Sequence, residues 1–286
     1  MGNNNNDNNS AVKIVKNIAF RIYRWDGANP DDAPQMKVYE VPVYKGMTVL
    51  EGLIYIKHYL DQSISYRASC RMGVCGSCGM MINGKPLLAC QQQILKLETD
   101  TVELRPLANY PVVKDLVPDL TRMIVTHQAI KPFIIRRETP PEEIGGEFHQ
   151  SVEELVNYLQ FSYCIKCGMC MSACPTVGSL PEFHGPQPLG QALRYINDTR
   201  DEGFEDRLAV MDTAEGIFRC HFAGACSEAC PKGIDPAFAI QLLKGEIVRR
   251  GIFRKKAGAS AALMPLTQEN PPRRENIPTP PPRTVE

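Results

Sequence analysis

Cysteine is the residue type in this chain with the clearest capacity for chemistry. The 286 residues include 11 cysteines, which lie in three groups along the sequence. An odd number of cysteines cannot all pair within one chain, which argues against a secreted disulfide framework. Thiolates are also the ligands of soft metals and iron–sulfur clusters, in a compartment that keeps them reduced. The spacing within each group therefore indicates what the cysteines bind.

The first group predicts a [2Fe–2S] cluster. Its spacing is C-x4-C-x2-C-x11-C, formed by Cys70, Cys75, Cys78 and Cys90. The first three cysteines match the plant-type ferredoxin pattern. Glycines between them allow positive φ angles, so that backbone N–H groups can approach the cluster. The alternative is a zinc knuckle, but zinc sites usually show two separated cysteine pairs rather than three ligands in one loop.

The second group has the spacing of bacterial ferredoxins, C-x2-C-x2-C-x3-C-P, from Cys164 to Pro175. In this pattern the fourth cysteine ligates a second cluster. An altered copy, C-x5-C-x3-C-P, extends from Cys220 to Pro231. When the two runs are aligned, the second ligand position of the copy is Ala223, which has no ligand atom.

Crossed ligation between the two runs assigns every remaining cysteine. A complete [4Fe–4S] site is predicted from Cys164, Cys167, Cys170 and Cys230. The other site is left with three cysteines, Cys174, Cys220 and Cys226. A cluster corner without a thiolate tends to lose its iron, so this site is predicted to hold [3Fe–4S]. The alternative is a degenerate copy in which both sites hold [4Fe–4S], with Ser227 or His221 as the local candidates for an outside ligand.

The residues around the first group predict a small α+β domain. Ile18, Phe20 and Ile22 alternate with residues of the opposite face, which is typical of a half-buried strand. Thr48 and Glu51 have the spacing of a capping box, and apolar residues follow at near-helical spacing to residue 60. Further strands are predicted at 38–44, at 80–82 before an Asn-Gly turn, and at 101–107.

The second half of the chain has helical patterns and few strand signals, so it is predicted to be mostly α. Ser151 and Glu154 form a second capping box, and Asp235 precedes Pro236 at the start of a helix expected to reach about residue 249. The predicted organisation is a disordered terminus at 1–10, a [2Fe–2S] domain at 11–118, a helical two-cluster domain at 119–256 and a proline-rich extended tail at 257–286.

Composition argues against several other classes of function. Lys and Arg number 32 and Asp and Glu number 32, so no strong net charge recruits nucleic acid. The Asn-rich start lacks the features of a signal peptide and of an Arg-rich transit peptide, from which we expect a bacterial cytoplasmic protein. No apolar run approaches the roughly 20 residues of a membrane-spanning helix. We therefore expect partner subunits to provide any membrane attachment.

A plant-type [2Fe–2S] domain followed by a crossed two-cluster domain resembles the iron–sulfur subunit of succinate dehydrogenase and fumarate reductase, respiratory complex II. The resemblance covers about residues 14–250. Beyond the first cysteine loop it includes Pro181-Glu182-Phe183, Gly185-Pro186, Arg194-Tyr195, Asp198-Thr199-Arg200-Asp201, Arg219-Cys220-His221 and Cys230-Pro231-Lys232-Gly233. It implies a β-grasp ferredoxin domain followed by an all-α ferredoxin-like domain.

The resemblance also implies cofactors on partner subunits. A flavoprotein with covalent FAD would interconvert succinate and fumarate, and an integral membrane anchor would hold quinone, with haem as an optional further cofactor. Electrons would pass from FAD through [2Fe–2S], [4Fe–4S] and [3Fe–4S] to quinone at the cytoplasmic face of the bacterial inner membrane. No general acid, base or nucleophile would belong to this chain, whose part is to hold and tune redox centres.

The resemblance also implies, by position in the family, that the quinone would be bordered by Pro175, Ser179, His221 and Ala223. Ubiquinone-linked members carry a Trp where Ser179 stands, and the single Trp of this chain is Trp25, so menaquinone is favoured. Succinate oxidation is the preferred direction. Fumarate reduction by menaquinol is the first alternative, because the same clusters conduct electrons both ways. An electron-transfer subunit for another flavin enzyme and a zinc-stabilised scaffold without redox function are more distant alternatives.

Overall fold

The computed structural model describes residues 13–29, 31–137 and 148–253, with side chains as far as residue 250. The predicted terminus at 1–10 and the predicted tail at 257–286 lie outside the described residues. The strands are β1 Ile14–Arg24, β2 Gln35–Tyr44, β3 Gly79–Ile82, β4 Lys85–Leu88, β5 Thr101–Arg105, β6 Val112–Lys114 and β7 Val117–Pro118.

The first half of the chain is built on a five-stranded sheet with the strand order β2-β1-β5-β3-β4. β1 pairs antiparallel with β2 and parallel with β5. The predicted alternation is confirmed, because Ile18, Phe20 and Ile22 are each at most 1% exposed. Gly52 lies directly over the Phe20 ring, where a Cβ atom would come within 2.4 Å of Cζ. A helix can therefore pack closely on this face of the sheet.

That helix is α1, Val49–Tyr55, and its predicted capping box is confirmed. The Glu51 N–H donates to Thr48 Oγ1 at 3.2 Å, and the Thr48 N–H donates to the Glu51 carboxylate at 2.7 Å. The α-helix ends earlier than predicted, because the chain continues as a π-helical turn at Ile56–Leu60. The wider turn is closed by the Asp61 N–H, which donates to the first carbonyl of that turn at 2.7 Å.

The predicted hairpin is formed by β3 and β4. Its two turn residues, Asn83 and Gly84, have φ angles of 48° and 79°, which is the left-handed geometry that two-residue hairpins require. Cys78 immediately precedes β3, and Cys90 follows β4 by two residues. Because the strands are antiparallel, the hairpin returns the chain to its starting point and brings these two cysteines together.

From residue 121 to residue 253, the regular elements within the described residues are helices. The α-helices are α2 Thr121–Ala129, α3 Val152–Ser162, α4 Met169–Ser172, α5 Pro175–Ser179, α6 Pro186–Ile196, α7 Phe204–Met211, α8 Ala225–Glu228 and α9 Pro236–Phe253, and a 3₁₀-helix spans Ile217–Arg219. The predicted caps at Ser151 and Asp235 are present, and α9 extends slightly beyond the predicted end at 249. α6 is the central helix, since it packs against α2, α3 and α9.

The second half of the chain contains a buried ion pair. Arg207 and Asp201 are 0% and 1% exposed at their side chains, and the guanidinium donates to both carboxylate oxygens, at 2.6 and 3.0 Å. Nε and Nη2 of the guanidinium also donate to the carbonyls of Ile130, Lys131 and Phe133 at 2.9–3.0 Å. Each of the three guanidinium nitrogens therefore donates a hydrogen bond, and such additional bonds are the condition under which a buried pair is tolerated.

The two halves are joined by side chains that follow β5. The Asn109 amide donates to three carbonyls around α4, those of Met171, Ser172 and Cys174, at 3.0–3.1 Å. The Tyr110 hydroxyl donates to the Gly168 carbonyl at 3.1 Å, just before the same helix. The first half of the chain therefore holds the backbone that carries cysteines of the second half.

Candidate metal centres

The loop of the first cysteine set wraps around its own sulfur atoms. The N–H groups of Val74 and Cys75 approach Cys70 Sγ at 3.3 and 3.2 Å, and the Ser77 N–H approaches Cys75 Sγ at 3.5 Å. Arg71, with a φ of 59°, reverses the chain to direct these amides inward. The electrostatic result is a concave nest of donors, which suits an anionic iron–sulfur cluster.

One glycine in this loop is required by space as well as by backbone geometry. Gly73 has a φ of 74°, and a Cβ atom there would lie 2.2 Å from Gln91 Nε2. Gln91 directly follows the last cysteine of the set, Cys90. The glycine thus allows the loop to lie against the segment that supplies the fourth thiol.

The thiols of the first set differ in environment. The Ser77 hydroxyl and nearby amides lower the pKa of Cys75 to about 6, so its thiolate is favoured. Cys78 and Cys90 are buried at the base of the hairpin, and burial raises the pKa of Cys78 to about 12. A thiolate at Cys78 therefore needs a compensating positive charge, which bound iron would supply. This donor set fits the predicted cluster.

The second predicted set lines a single cavity beneath the start of α6. The four thiols around it are those of Cys164, Cys167, Cys170 and Cys230. Burial raises the pKa of Cys167 to about 12 and raises the pKa of Cys170 well above its ordinary range. Burial also raises the pKa of Cys230. The backbone amides of residues 232–234 act in the opposite direction, because they stabilise its thiolate. These buried sulfurs, too, need positive charge to ionise.

The third predicted set lines a separate cavity, together with residues at the ends of α5 and α8. Its three thiols are those of Cys174, Cys220 and Cys226. Burial raises the pKa of Cys226 to about 12. Of the predicted quinone-side residues, Pro175, His221 and Ala223 line this cavity. Ser179 is an exposed residue at the end of α5 that donates to the Thr176 carbonyl at 3.3 Å, and it does not belong to the lining residues.

The backbone of the third set repeats that of the second, residue by residue. Lys166 and Phe222 have φ angles of 54° and 57°, and Gly168 and Gly224 have φ angles of 81° and 79°. Each run then enters a short helix, α4 or α8. Ala223 therefore occupies the same place in its loop that Cys167 occupies in the first run. It is exposed, so the position without a thiol lies at the surface.

The two alternative outside ligands named from sequence differ in availability. Ser227 is 1% exposed, and its hydroxyl donates to Asp235 and accepts from the Ala237 N–H at 3.2 Å. Those bonds hold the start of α9, so the Ser227 hydroxyl is already used and is a poor candidate for a cluster ligand. His221 is exposed and lines the cavity, so of the two it is the one free to face a ligand.

The three cysteine sets are neighbours in space. Gly76, in the first loop, lies against Cys167 of the second set, where a Cβ atom would approach within 2.6 Å of Cys167 Cβ. Cys170, also of the second set, lies near enough to Cys226 that a charge on one would raise the pKa of the other. The second set therefore stands between the first and the third.

In the described parts of the chain, no group of three or more His, Cys, Asp or Glu side chains is arranged to hold a single metal ion. The thiols of the second and third sets instead surround cavities. A cluster contributes iron and sulfide atoms of its own between its ligands, so thiols that surround a cavity fit a cluster.

Among the residues that the structure describes, no helix is long and apolar enough to cross a membrane.

Two residues around these sites were not predicted from the sequence. Asn109 holds the loop that leads to Cys174, and Gln187 reaches into the cavity of the second set. Neither belongs to a recognisable spacing pattern, because Asn109 contacts a segment 62 residues away and Gln187 contacts residues 23 and 60 positions away on other elements. Only the folded chain brings them to the cysteines.

The chain was compared with known proteins. Residues 19–125 match the family described as "2Fe-2S iron-sulfur cluster binding domain", and residues 160–234 match "4Fe-4S dicluster domain". The chain thus contains a [2Fe–2S] domain followed by a two-cluster domain.

Named relatives extend the match over most of the chain. The fumarate reductase iron–sulfur subunit of Mycobacterium tuberculosis is 45% identical over 214 residues, 75% of this chain and 86% of the relative. That of Escherichia coli O6:H1 is 44% identical over 234 residues, 81% of this chain and 93% of the relative.

Among solved structures, a chain of the Mycobacterium smegmatis Sdh1 complex in the apo form has the same fold. It aligns with a TM-score of 0.72 and 25% sequence identity, over 82% of this chain and 97% of that chain. The sequence resemblance is confirmed by these matches. The protein therefore belongs to the family of iron–sulfur subunits of succinate dehydrogenase and fumarate reductase, and it serves electron transfer in an oxidoreductase complex.

Proposed function

We propose that this chain carries electrons between a flavin on one partner subunit and a quinone held by another, through three iron–sulfur clusters in series. The observation that carries the proposal is the spatial order of the cysteine sets. The contact of Gly76 with Cys167 joins the first set to the second, and the proximity of Cys170 and Cys226 joins the second to the third. Short steps between centres are what an electron pathway needs.

The ligands follow from the three cysteine sets. A [2Fe–2S] cluster is assigned to Cys70, Cys75, Cys78 and Cys90. A [4Fe–4S] cluster is assigned to Cys164, Cys167, Cys170 and Cys230. A [3Fe–4S] cluster is assigned to Cys174, Cys220 and Cys226, with Ala223 at the corner without iron. When bound, these groups supply one-electron redox centres. The chain's own residues position the sulfurs, direct amides at them and limit the access of water.

The quinone is assigned to the third cavity. Pro175, His221 and Ala223 line it, and His221 is exposed there with a ring that can hydrogen-bond a quinone carbonyl. Ser179 lies at the far end of α5, away from the lining. The support for menaquinone therefore comes from the resemblance alone, in which ubiquinone-linked members have a tryptophan at this position, and not from a contact of Ser179 with the cavity.

We assign the partner subunits from the exposed apolar residues beside the first and third cysteine sets, which are the two ends of the pathway. Met72 and Val74 expose 71% and 54% of their surface on the first cysteine loop, which suits an interface with an FAD-containing flavoprotein. Phe218 and Phe222 are 50% and 47% exposed beside the third cavity, which suits an integral membrane anchor that holds quinone, with haem as an optional cofactor. The chain would then lie peripherally at the cytoplasmic face of the bacterial inner membrane. In this proposal the two halves are a β-grasp ferredoxin domain and an all-α ferredoxin-like domain.

Two directions are open to the same set of clusters. The relatives that are 44% and 45% identical are named fumarate reductase subunits, which favours fumarate reduction by menaquinol. The solved neighbour, at 25% identity, belongs to an Sdh1 complex, which favours succinate oxidation, the direction preferred from the sequence. We therefore propose fumarate reduction first, which the higher identities support, and succinate oxidation second. Quinone-linked rates measured in both directions on the purified complex decide between them, and dominant succinate oxidation would reverse this order.

Chemical analysis of the purified complex tests the clusters themselves. We expect about nine irons and about ten acid-labile sulfides for each copy of this chain, after haem iron is subtracted. Zinc without acid-labile sulfide would contradict the proposal and would support a non-redox scaffold instead.

A further inference from the structure

Gln187 lies in the first turn of α6, and its side chain approaches a sulfur of the second cysteine set. Its side chain is 3% exposed, and it lines the cavity with Cys164 and Cys230. We propose that Gln187 is a positioning residue that raises the reduction potential of the cluster in this cavity, by donating an amide hydrogen bond to the Cys164 sulfur. The inference rests on the proposed function, since it takes the cavity to hold a redox cluster.

The amide nitrogen of Gln187 faces two acceptors. Nε2 lies 3.9 Å from Cys164 Sγ and 3.2 Å from His127 Nδ1. A primary amide carries two N–H bonds on this one nitrogen, so each acceptor can receive one. His127 lies on α2 and is 8% exposed, which places this second contact inside the protein. His127 therefore acts as the fixed point that holds the amide beside the sulfur.

The orientation of the amide is set by its surroundings. Gln187 Oε1 is buried and has no hydrogen-bond partner among the described residues. Rotating the amide by half a turn would aim this oxygen at the sulfur and the imidazole nitrogen. Burial and the nearby Lys166 charge lower the pKa of His127, so its ring is neutral and Nδ1 can accept. In the His127 tautomer that carries its proton on Nε2, both Nδ1 and the Cys164 sulfur are acceptors, and only the nitrogen end of the amide suits them.

A donor at this sulfur has a direct effect on the redox equilibrium. Reduction adds negative charge that is shared with the cysteine sulfurs, so a hydrogen bond to sulfur stabilises the reduced state more than the oxidised state. At Cys167 and Cys230, backbone amides of residues 169 and 232–234 fill this role. A backbone donor is not removed by replacing a side chain, except by proline, which also changes the backbone conformation. At Cys164 the donor is a side chain, so its contribution can be measured.

The matched control is Gln191, one turn further along α6. It is 6% exposed and lines the same cavity, but its amide donates to the Phe161 carbonyl at 2.8 Å and not to a sulfur. Gln187→Met and Gln191→Met each replace a buried amide by an apolar side chain of similar length. The two substitutions therefore have similar structural consequences and differ in the loss of the sulfur contact.

The experiment is an EPR-monitored redox titration of the assembled complex. Gln187→Met is expected to lower the equilibrium constant for reduction of the [4Fe–4S] cluster about tenfold, the loss of one hydrogen bond to a charged group. For a one-electron couple this is a shift of about 59 mV to more negative potential. Gln191→Met should leave that potential unchanged. The [2Fe–2S] and [3Fe–4S] potentials should stay unchanged in both variants.

An unchanged [4Fe–4S] potential in Gln187→Met, or equal shifts in both variants, would overturn the inference. If Gln187→Met does not retain the cluster, Gln187→Leu provides the same test, with Gln191→Leu as its control, because leucine is uncharged and cannot donate to either acceptor. A negative shift there supports the inference, and none overturns it. Absence of a [4Fe–4S] signal in the unmodified complex would instead contradict the proposed function.

Discussion

Gly76 and Cys167 are in contact across the boundary between the two halves of the chain. A Cβ atom on Gly76 would lie 2.6 Å from Cys167 Cβ and 3.0 Å from Cys167 Cα. Gly76 stands between two cysteines of the first set, and Cys167 belongs to the second. The absence of a side chain at Gly76 is therefore what allows two cysteine loops from different domains to touch.

The first prediction concerns this contact. Gly76→Ala should destabilise the protein more than Gly84→Ala does. Both glycines have left-handed φ angles, 76° and 79°, and an alanine in that conformation costs about 1–2 kcal/mol. At Gly84 nothing lies within 4 Å of the added Cβ, whereas at Gly76 the collision with Cys167 adds to the backbone cost.

The measurement is the thermal unfolding temperature of the two variants, together with their content of [2Fe–2S] cluster. We expect Gly76→Ala to unfold at the lower temperature and to lose cluster from the first site, while Gly84→Ala retains it. Equal losses of stability in both variants would show that the two loops do not touch.

The second prediction concerns the position without a thiol. Ala223 has the backbone place of Cys167, so Ala223→Cys should supply the missing ligand and convert the third site to [4Fe–4S]. The expected result is loss of the [3Fe–4S] EPR signal of the oxidised protein, with about one additional iron per chain. Added thiolate charge should also lower the potential of this centre.

Ala225→Cys is the matched control for this change. Ala225 lines the same cavity, but it is the first residue of α8 and corresponds to Met169 in the other run. A thiol there should leave the [3Fe–4S] signal in place. If Ala223→Cys keeps that signal unchanged, the alignment of the two runs is wrong as a guide to ligation.

The third prediction concerns the buried ion pair of the second half. Arg207→Met leaves the Asp201 carboxylate buried without its partner, which typically costs about 3–5 kcal/mol. Lys16→Met removes one member of an exposed pair with Asp100 and should have no measurable effect, because solvent screens such pairs. Thermal unfolding monitored by circular dichroism compares the two variants. Similar unfolding temperatures would contradict the structural role of Arg207.

The fourth prediction concerns pH. Burial opposes ionisation of Asp61, but hydrogen bonds from Lys37, Ser63, Tyr39 and Arg24 outweigh it and lower the pKa of this carboxyl well below its ordinary range. A folded-state pKa below the unfolded value means that Asp61 stabilises the protein above the unfolded pKa, near 4. That contribution is lost as the pH falls from there towards the folded pKa.

The check is the unfolding temperature measured between about pH 7 and about pH 3. The unmodified protein should lose stability across this acid range more steeply than Asp61→Asn, whose side chain does not titrate. Asp31→Asn, at an exposed position, should follow the unmodified protein. Parallel curves for Asp61→Asn and the unmodified protein would contradict the assignment.

Local patterns were enough to predict the elements that depend on local physics. The alternation at Ile18 and Phe20 predicted β1, and the Thr48–Glu51 spacing predicted the start of α1, because burial on one face and end-capping are both encoded within a few residues. The end of α1 was not predicted, since the apolar spacing continues to residue 60 and does not distinguish an α-helix from the π-helical turn at Ile56–Leu60. The thiols of the second and third predicted sets each line one cavity, and the clusters assigned to all three sets stay predictions.

Contacts between distant segments could not be predicted in this way. Nothing near Asn109 indicates that it bonds to carbonyls beside Cys174, and nothing near Gln187 indicates that it faces Cys164. Both depend on how the two halves dock and on how α6 enters the second half. Ser227 shows the converse, since it was a reasonable ligand candidate by sequence and the fold commits it to the start of α9.

The central claim is that the chain holds three different clusters in series, and EPR of the purified complex tests it most directly. The account predicts a [3Fe–4S] signal in the oxidised sample, and on stepwise reduction the loss of that signal followed by the appearance of [2Fe–2S] and [4Fe–4S] signals that broaden each other through magnetic coupling. An oxidised sample without a [3Fe–4S] signal, or a reduced sample without a [2Fe–2S] signal, would contradict it.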